Sequence, residues 1–587
     1  MRLTAVSERA AASEPRDRSA PAKRRARERV GESEGRSPSA MEMSTKMAYV
    51  IRTAGATAVA LSLAATVAAQ HQHQAGAQAL GKVHFETSCK PEVGDSFDRS
   101  IALLHSFEFG SAIEGFSGVL QKDPSCAMAH WGIALSRWSN PFAGLKRPAA
   151  MEPGREAARK AQSTGSPSPR EKAYIDAVAE LYRDYEKTSQ RDRTLAYEKA
   201  MEKVTADFPA DTEARIFYAL AITQNALPTD KTYANQLKAT AILEPLFRRY
   251  PDHPGLAHYI IHSYDQPALA GRALEAARSY ARIAPDAPHA LHMPSHTFTR
   301  VGAWSDSIAA NVASADAATK AGCYGETLHA MDYQMYAYLQ TAQDGAARRT
   351  LDGLPAIARQ FDPNVICGAA PGSAGLYALV VIPARYALER GDWKAAAALE
   401  TATTPYAWVD AQSRFARALG AARSGNPGAA RPDIEQLAVF REKLAAANDS
   451  YWAGQVDIQR RVAEAWVAYA GGRREEAIAQ LTAAADTEDA TDKSAVTPGP
   501  LAPARELLGD MLLEAGQAAA ALRAYAATMA KEPNRFRAVH GGARAAAASG
   551  DRALAAKYYR QLLEIGKSAD TARPELQEAK AFPGQKP

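Results

Sequence analysis

Five histidines fall within 39 residues of this chain: His258 and His262 in HYIIHSYD, and His289, His292 and His296 in PHALHMPSH. Their spacing is more informative than their number. His258 to His292 is 34 residues, and so is His262 to His296. Within each pair the separation is i to i+4, which on a helix places both rings on one face, a turn apart. Two imidazoles so arranged chelate one ion, and a second pair on a neighbouring helix completes a tetrahedral or square array. Asp265 is placed to be a further ligand or to orient an imidazole from behind. Neutral nitrogen donors with one carboxylate suit zinc, copper, nickel or iron better than calcium or magnesium, and Met293 adds a soft donor that would favour copper. The expected metal set is therefore His258, His262, His292 and His296, with Asp265 and His289 beside them. The expected cofactor is a transition metal (Zn, Cu or Fe).

The same residues admit plainer readings: a hydrogen-bonding surface for a peptide, or packing alone. HYIIH lacks the glutamate of a metalloprotease helix. Pro294 falls early in its helix and can alter the first turn. Elsewhere, His84, His105 and His130 accompany Trp131 and Trp138, with His130 expected in the core. His71 and His73 sit in QHQHQ, expected to be a solvated tail. No Gly-rich phosphate loop, GxSxG elbow or plausible catalytic cysteine is present.

The positioning elements must be helices. The chain is Ala-rich, its long stretches have helical periodicity, and strand alternation is hard to find. It also repeats. Gly516 and Gly550 are 34 apart, as are Ala521 and Ala555, and Tyr525 and Tyr559, with Pro533 closing the first unit. Phe109, Ala112, Phe116 and Pro124 fit another unit, whose successor opens at Ala127. Units at 254–287 and 288–321 carry Ala273 and Ser307 at the small mid-unit position. Fainter copies lie at Tyr386–Ala398 and Trp466–Ala483.

This pattern resembles the tetratricopeptide repeat (TPR), a 34-residue helix–turn–helix unit. The resemblance implies an all-α, TPR-like helical-hairpin solenoid, a right-handed superhelix in two arrays, with the first helix of each unit lining a concave groove. His258 and His292 take the fifth position of their units and His262 and His296 the ninth, positions that in the family face the groove. The resemblance thus implies a two-by-two array of rings with His289 and Asp265 at its rim. His105 would fall near the groove end of its helix, and His329, at an eighth position, would pack between helices. FDRSIALLHSFEF, DPSCAMAHWGIALS, HYIIHSYD and APHALHMPSH together resemble exported bacterial TPR proteins, a type that comes with no assigned activity. That resemblance implies fold and export and adds no reaction.

Charge narrows the partners. The formal net charge is +5, but residues 1–69 hold 12 Lys/Arg against 7 Asp/Glu, leaving 58 of each sign in the rest. A neutral body without a basic stripe argues against nucleic acid. Residues 1–40 cannot form a core. The apolar run Ala54–Ala69 has the length of a signal-peptide core, with cleavage expected after Ala69 and candidate starts at Met41, Met43 and Met47. The expected location is periplasmic or secreted, with no membrane span in the mature chain. Cys89, Cys126, Cys323 and Cys367 then favour disulfides, with three possible pairings; proximity favours Cys89–Cys126 and Cys323–Cys367, and free buried thiols are the alternative.

The expected organisation is a disordered extension plus signal peptide over 1–69 (signal peptide about 47–69) and a flexible segment at 70–94. A His-bearing array at 95–440, a second array at 455–570 and a tail at 571–587 follow. Residues 142–170 and 485–501 read as linkers or inter-repeat loops. The sequence favours an exported scaffold that binds a protein or peptide partner in its groove and carries a transition-metal site. The alternatives are a metal-dependent enzyme, oxidoreductase or hydrolase, using Asp265 or His289 as acid or base, and a metal-free interaction module.

Overall fold

The computed structural model describes residues 79–583, and every regular element among them is helical. The segments expected to be extension and signal peptide, with His71 and His73, lie outside the described residues. None of the described helices is long and apolar enough to cross a membrane.

The repeat phase is realised as antiparallel helical pairs. Pro254–Ser263 pairs with Leu274–Ile283, and the next unit runs Pro288–His292, Pro294–Arg300 and Trp304–Lys320. Near the C-terminus Ala504–Glu514 pairs with Ala518–Lys531, and Phe536–Ala548 with Arg552–Ile565. Gly516 and Gly550 sit between the helices of each pair at φ of 76° and 89°. That is the left-handed conformation in which a helix commonly ends and for which glycine has no steric penalty. Helix starts are equally local in origin: Ser168 and Glu171 form a reciprocal capping box ahead of Pro169–Glu180. Two large apolar cores result, one drawn from residues between Leu80 and Ala369, the other from Tyr377 to Ala545.

Several segments read as loops have structure. The stretch expected to be flexible is ordered from residue 79, with Phe85 buried against Trp131 and Tyr174 at ring-centroid distances of 5.4 and 5.3 Å. The 142–170 stretch contains the helix Pro148–Ser163. The expected tail contains the helix Pro574–Ala581, which buries Leu576 and Ala579. Just ahead of it, Arg573 makes a two-pronged bridge to Asp344 at 2.7 and 2.8 Å. The 485–501 stretch departs furthest from a linker. The helix Arg474–Asp489 takes its first residues, and the non-helical strap 490–503 that follows is laid into the interior. Its buried contacts are described below.

The disulfides are Cys89–Cys126 and Cys323–Cys367, with Cα–Cα distances of 4.8 and 5.7 Å. Proximity had favoured this pairing.

Candidate metal centre

The helix Pro254–Ser263 presents His258 and His262 on one face, as the i,i+4 spacing requires, and both are buried. The following unit does not repeat that arrangement. Pro294 has no N–H to donate, and the helix stops at His292 and restarts at Pro294. The break re-aims the rings on either side of it. The expected two-by-two array is therefore replaced by two triads: His258, His262 and His289 in one, and His292, His296 and His329 in the other. Within each, one donor atom per residue lies within 4.8 Å of the others. The equivalent pair His262 and His296 does face across, at 6.0 Å between ring centroids, and His289 and His292 meet at 5.7 Å. Two placements differ from expectation. His289 belongs inside a triad rather than at a rim, and His329, expected only to pack, supplies the third ring of the second triad. All six are buried, and His262 is the one of them that reaches the larger cavity described below.

The outer nitrogens are held from behind. His258 Nδ1 donates to the His105 carbonyl at 2.6 Å, and His289 Nδ1 lies 2.8 Å from a Glu326 carboxylate oxygen. In the second triad His292 Nδ1 lies 2.7 Å from the Asn311 side-chain oxygen, and His296 Nδ1 lies 3.0 Å from Asp265. An oxygen acceptor at Nδ1 fixes the proton there and leaves the Nε2 lone pair free, the arrangement by which proteins orient metal-binding imidazoles. Nε2 of His258, His262 and His289 is buried and has no hydrogen-bond partner in the protein. Nε2 of His292 and His296 face each other at 3.1 Å. With both Nδ1 atoms donating, two lone pairs meet there. Only a cation or a proton relieves that, and 3.1 Å suits two nitrogens sharing an ion at ~2.1 Å.

Burial holds His258, His262, His289, His292 and His329 well below the ordinary 6.5, and neighbouring rings add to the effect. Neutral imidazole is the metal-binding form. Asp265 stands outside both triads. Burial would raise its carboxyl, but Lys493 and Arg300 outweigh this and hold it well below the usual range. Its oxygens take Arg300 Nε at 2.8 Å, Lys493 at 3.2 Å and His296. Of the two roles the sequence left open to Asp265, orienting is the one its contacts describe. Behind His289, burial and the neighbouring Glu326 push Glu108 up to about 8, and Glu108 accepts the His289 backbone N–H at 2.9 Å.

The strap 490–503 closes the site. The Tyr333 hydroxyl lies 3.2 Å from the carbonyls of both Ala495 and Thr497, and Arg385 donates to the Thr497 hydroxyl at 2.7 Å. Its composition reads as a loop, and no periodicity reveals the burial. A void of about 30 Å³ lies among His262, His289, His296 and His329, bounded also by Trp408 and Trp452. A larger cavity of about 350 Å³ adjoins it, with His262, Asp265, Phe142, Gln266, Trp452 and Lys493 among its lining residues.

A third cluster went unseen in the sequence because His253 and Glu213 fall on no shared period. Glu213 bridges His105 Nε2 at 2.8 Å and His253 Nε2 at 2.9 Å, and His105 Nδ1 lies 2.9 Å from the Tyr259 hydroxyl. The His105 and Glu213 partners satisfy one another, so the cluster serves to fix His105, whose carbonyl anchors His258. His130, expected in the core, lies half-exposed on the helix Ala127–Trp138.

No protein-family model and no curated protein matches the chain. Among solved structures it is similar to the APC/C hetero-tetramer Cut9–Hcn1, at 11% identity over 83% of this chain and 89% of that one, with a TM-score of 0.31. It is also similar to the human IFIT1 dimer with m7Gppp-AAAA, at 11% identity over 85% and 97%, TM-score 0.35. A third likeness is a monomeric IFIT1 mutant with Gppp-AAAA, at 10% over 81% and 96%, TM-score 0.30. Likenesses this remote say nothing about activity.

Proposed function

We propose that this chain is an exported helical-repeat scaffold built around a buried polyhistidine transition-metal centre, and that it is a metal-dependent enzyme acting on a small molecule admitted through the adjoining cavity. The observation that carries the reading is that His258, His262 and His289 bring a donor nitrogen each within 4.8 Å of the others, and that each has a buried Nε2 without a partner, two of the rings being anchored at Nδ1 by oxygen acceptors. A buried polar atom left unpaired costs about 1–3 kcal/mol, and three together are what an ion would satisfy. The donors would be these three and His292, His296 and His329. A bound transition metal supplies Lewis-acid or redox chemistry. The chain's own contribution is orientation: Glu326, Asn311, Asp265 and the His105 carbonyl fix the rings, and the strap with Tyr333 limits water.

A protein or peptide lying in the concave groove, the partner the sequence favoured, would meet at most His262, since all six rings are buried and the other five do not line the open cavity. The cavity of about 350 Å³ is within the size range of small-molecule sites. Export rests on the apolar leader, and two disulfides are consistent with an oxidising compartment.

The test is metal content. Tag-free protein is loaded separately with zinc, copper and iron, desalted and analysed for bound ions, beside a His258→Ala/His289→Ala variant. Retained ions that the variant loses, in whole or in part, support the reading. A chain that retains none of the three metals rejects it.

A further inference from the structure

We infer that the two triads hold two copper ions, one each, and that the pair binds dioxygen in the void between them. This rests on the metal-centre reading above and adds the number of ions, their identity and the ligand.

The number follows from the partition of the rings. Each triad is closed within itself, with its donors mutually within 4.8 Å. The two face one void, lined by His262 and His289 from one triad and His296 and His329 from the other. A single ion would leave three buried imidazoles unused.

The element follows from the donors. Both triads are imidazole only. The carboxylates of Asp265 and Glu326 are engaged at Nδ1 atoms, one step removed from the donor nitrogens. Paired iron, manganese or magnesium sites call for carboxylate or water oxygens, whereas copper accepts imidazole alone. Charge points the same way. Asp265 is already matched by Arg300 and Lys493, and burying uncompensated charge is costly. Two cuprous ions bring half the charge of two zinc ions.

The ligand follows from the space. A void of about 30 Å³ has room for roughly two waters, or one diatomic molecule. Much of its wall is apolar: Phe142, Ala369, Ala374, Val496, Trp408 and Trp452. Trp408 and Trp452 stack at 4.3 Å between centroids. The binding step balances without any other reactant. Each Cu(I) gives up one electron and becomes Cu(II). The dioxygen accepts both, and its O–O bond falls from double to single without breaking. No proton moves, and the total charge of the pocket is unchanged, because the new dianion cancels the added charge on the metals. A buried, neutral-donor site is suited to a reaction of that kind.

The experiment uses the full chain loaded anaerobically with Cu(I) and desalted. The expected content is two copper ions per chain, with uptake of one dioxygen per two copper ions on exposure to air. Electron paramagnetic resonance should then show far fewer than two spins per chain, since adjacent Cu(II) ions couple. His258→Ala/His289→Ala and His292→Ala/His329→Ala should each keep one copper and take up no dioxygen. His262→Phe, a ring-for-ring change, serves as the first-triad variant if a double variant does not fold. One copper per chain, lost in both double variants, overturns the inference and leaves the metal-centre reading standing. So does a pair of copper ions that takes up no dioxygen. A chain that retains no copper, zinc or iron removes both.

Discussion

His262→Phe should stabilise the metal-free protein and weaken the metal-loaded one. The ring of His262 lies 4.2 Å from Phe142 and 5.7 Å from Phe107, centroid to centroid, and its Nε2 is buried without a partner. Replacing it by phenylalanine keeps a flat ring in that stack and removes an unpaired polar atom worth about 1–3 kcal/mol. The slightly larger ring returns about 1 kcal/mol of crowding. The net expectation for metal-free protein is a gain of about 1 kcal/mol. With free metal a thousandfold above Kd, wild type gains about 4 kcal/mol per ion held by the fold. The variant forgoes that gain at the first triad, so the comparison reverses to a loss of about 3 kcal/mol. Scanning calorimetry with a chelator, and again in a buffered excess of metal, reads both. A variant less stable than wild type by more than about 1 kcal/mol in chelator would refute the argument, because it would mean that His262 serves the fold. Equal stabilisation of both proteins by metal would refute it from the other side.

Glu326→Gln, which weakens the hold on His289 Nδ1, should lower metal affinity by about 10–100-fold in a chelator competition. Metal-free protein should lose thermal stability as the pH falls below 6.5: the fold keeps its buried imidazoles neutral, while the unfolded chain protonates them. Metal-loaded protein should hold its melting temperature to lower pH. Burial, opposed by Lys531 and the Ala504 N–H, pushes Glu488 up to about 7 from its ordinary 4.5. A raised carboxyl contributes stability below the ordinary value that is lost as the pH climbs through the raised one. Glu488→Gln should therefore gain on wild type between pH 4.5 and 7, by on the order of 3 kcal/mol in denaturant titrations; a constant difference would count against it. Arg535 binds Glu506 at 2.7 Å, Glu389 at 2.8 Å and the Tyr336 hydroxyl at 2.9 Å, all buried. Arg535→Met should cost about 3–5 kcal/mol by the same titration, because buried Glu389 loses its cation and Glu506 is left with Arg537 alone, at 3.0 Å.

The fold was legible because repetition is a sequence property. The 34-residue spacing of His258 with His292, and of Gly516 with Gly550, survives in the structure as equivalent helices. The same periodicity misled at the site. It treated His292 and His296 as a copy of His258 and His262, whereas a single proline at 294 breaks the second helix and sends His289 and His292 to different triads. His329 was passed over because it lies 33 residues after His296, one short of the repeat, and a one-residue offset turns a helix by about 100°. Glu326 and Asn311 have no motif of their own. Their role as anchors depends on which nitrogen they meet, and that is set by packing. The 485–501 stretch is acidic and then proline-bearing, so composition reads it as a linker, and only tertiary contact shows the strap 490–503 covering the rings.

That strap also bears on how the chain comes apart. In a simple repeat array each unit touches only its neighbours, so ends fray and segments unfold in turn. Here Asp265 is tied to Lys493, Tyr333 to Ala495 and Thr497, Arg385 to Thr497, and Asp344 to Arg573. These ties span roughly 110 to 230 residues of sequence and bind late units to early ones. Such an array loses the independence of its parts: its units should melt together in one sharp transition, and removal of the last units should loosen helices two hundred residues upstream instead of merely shortening the row.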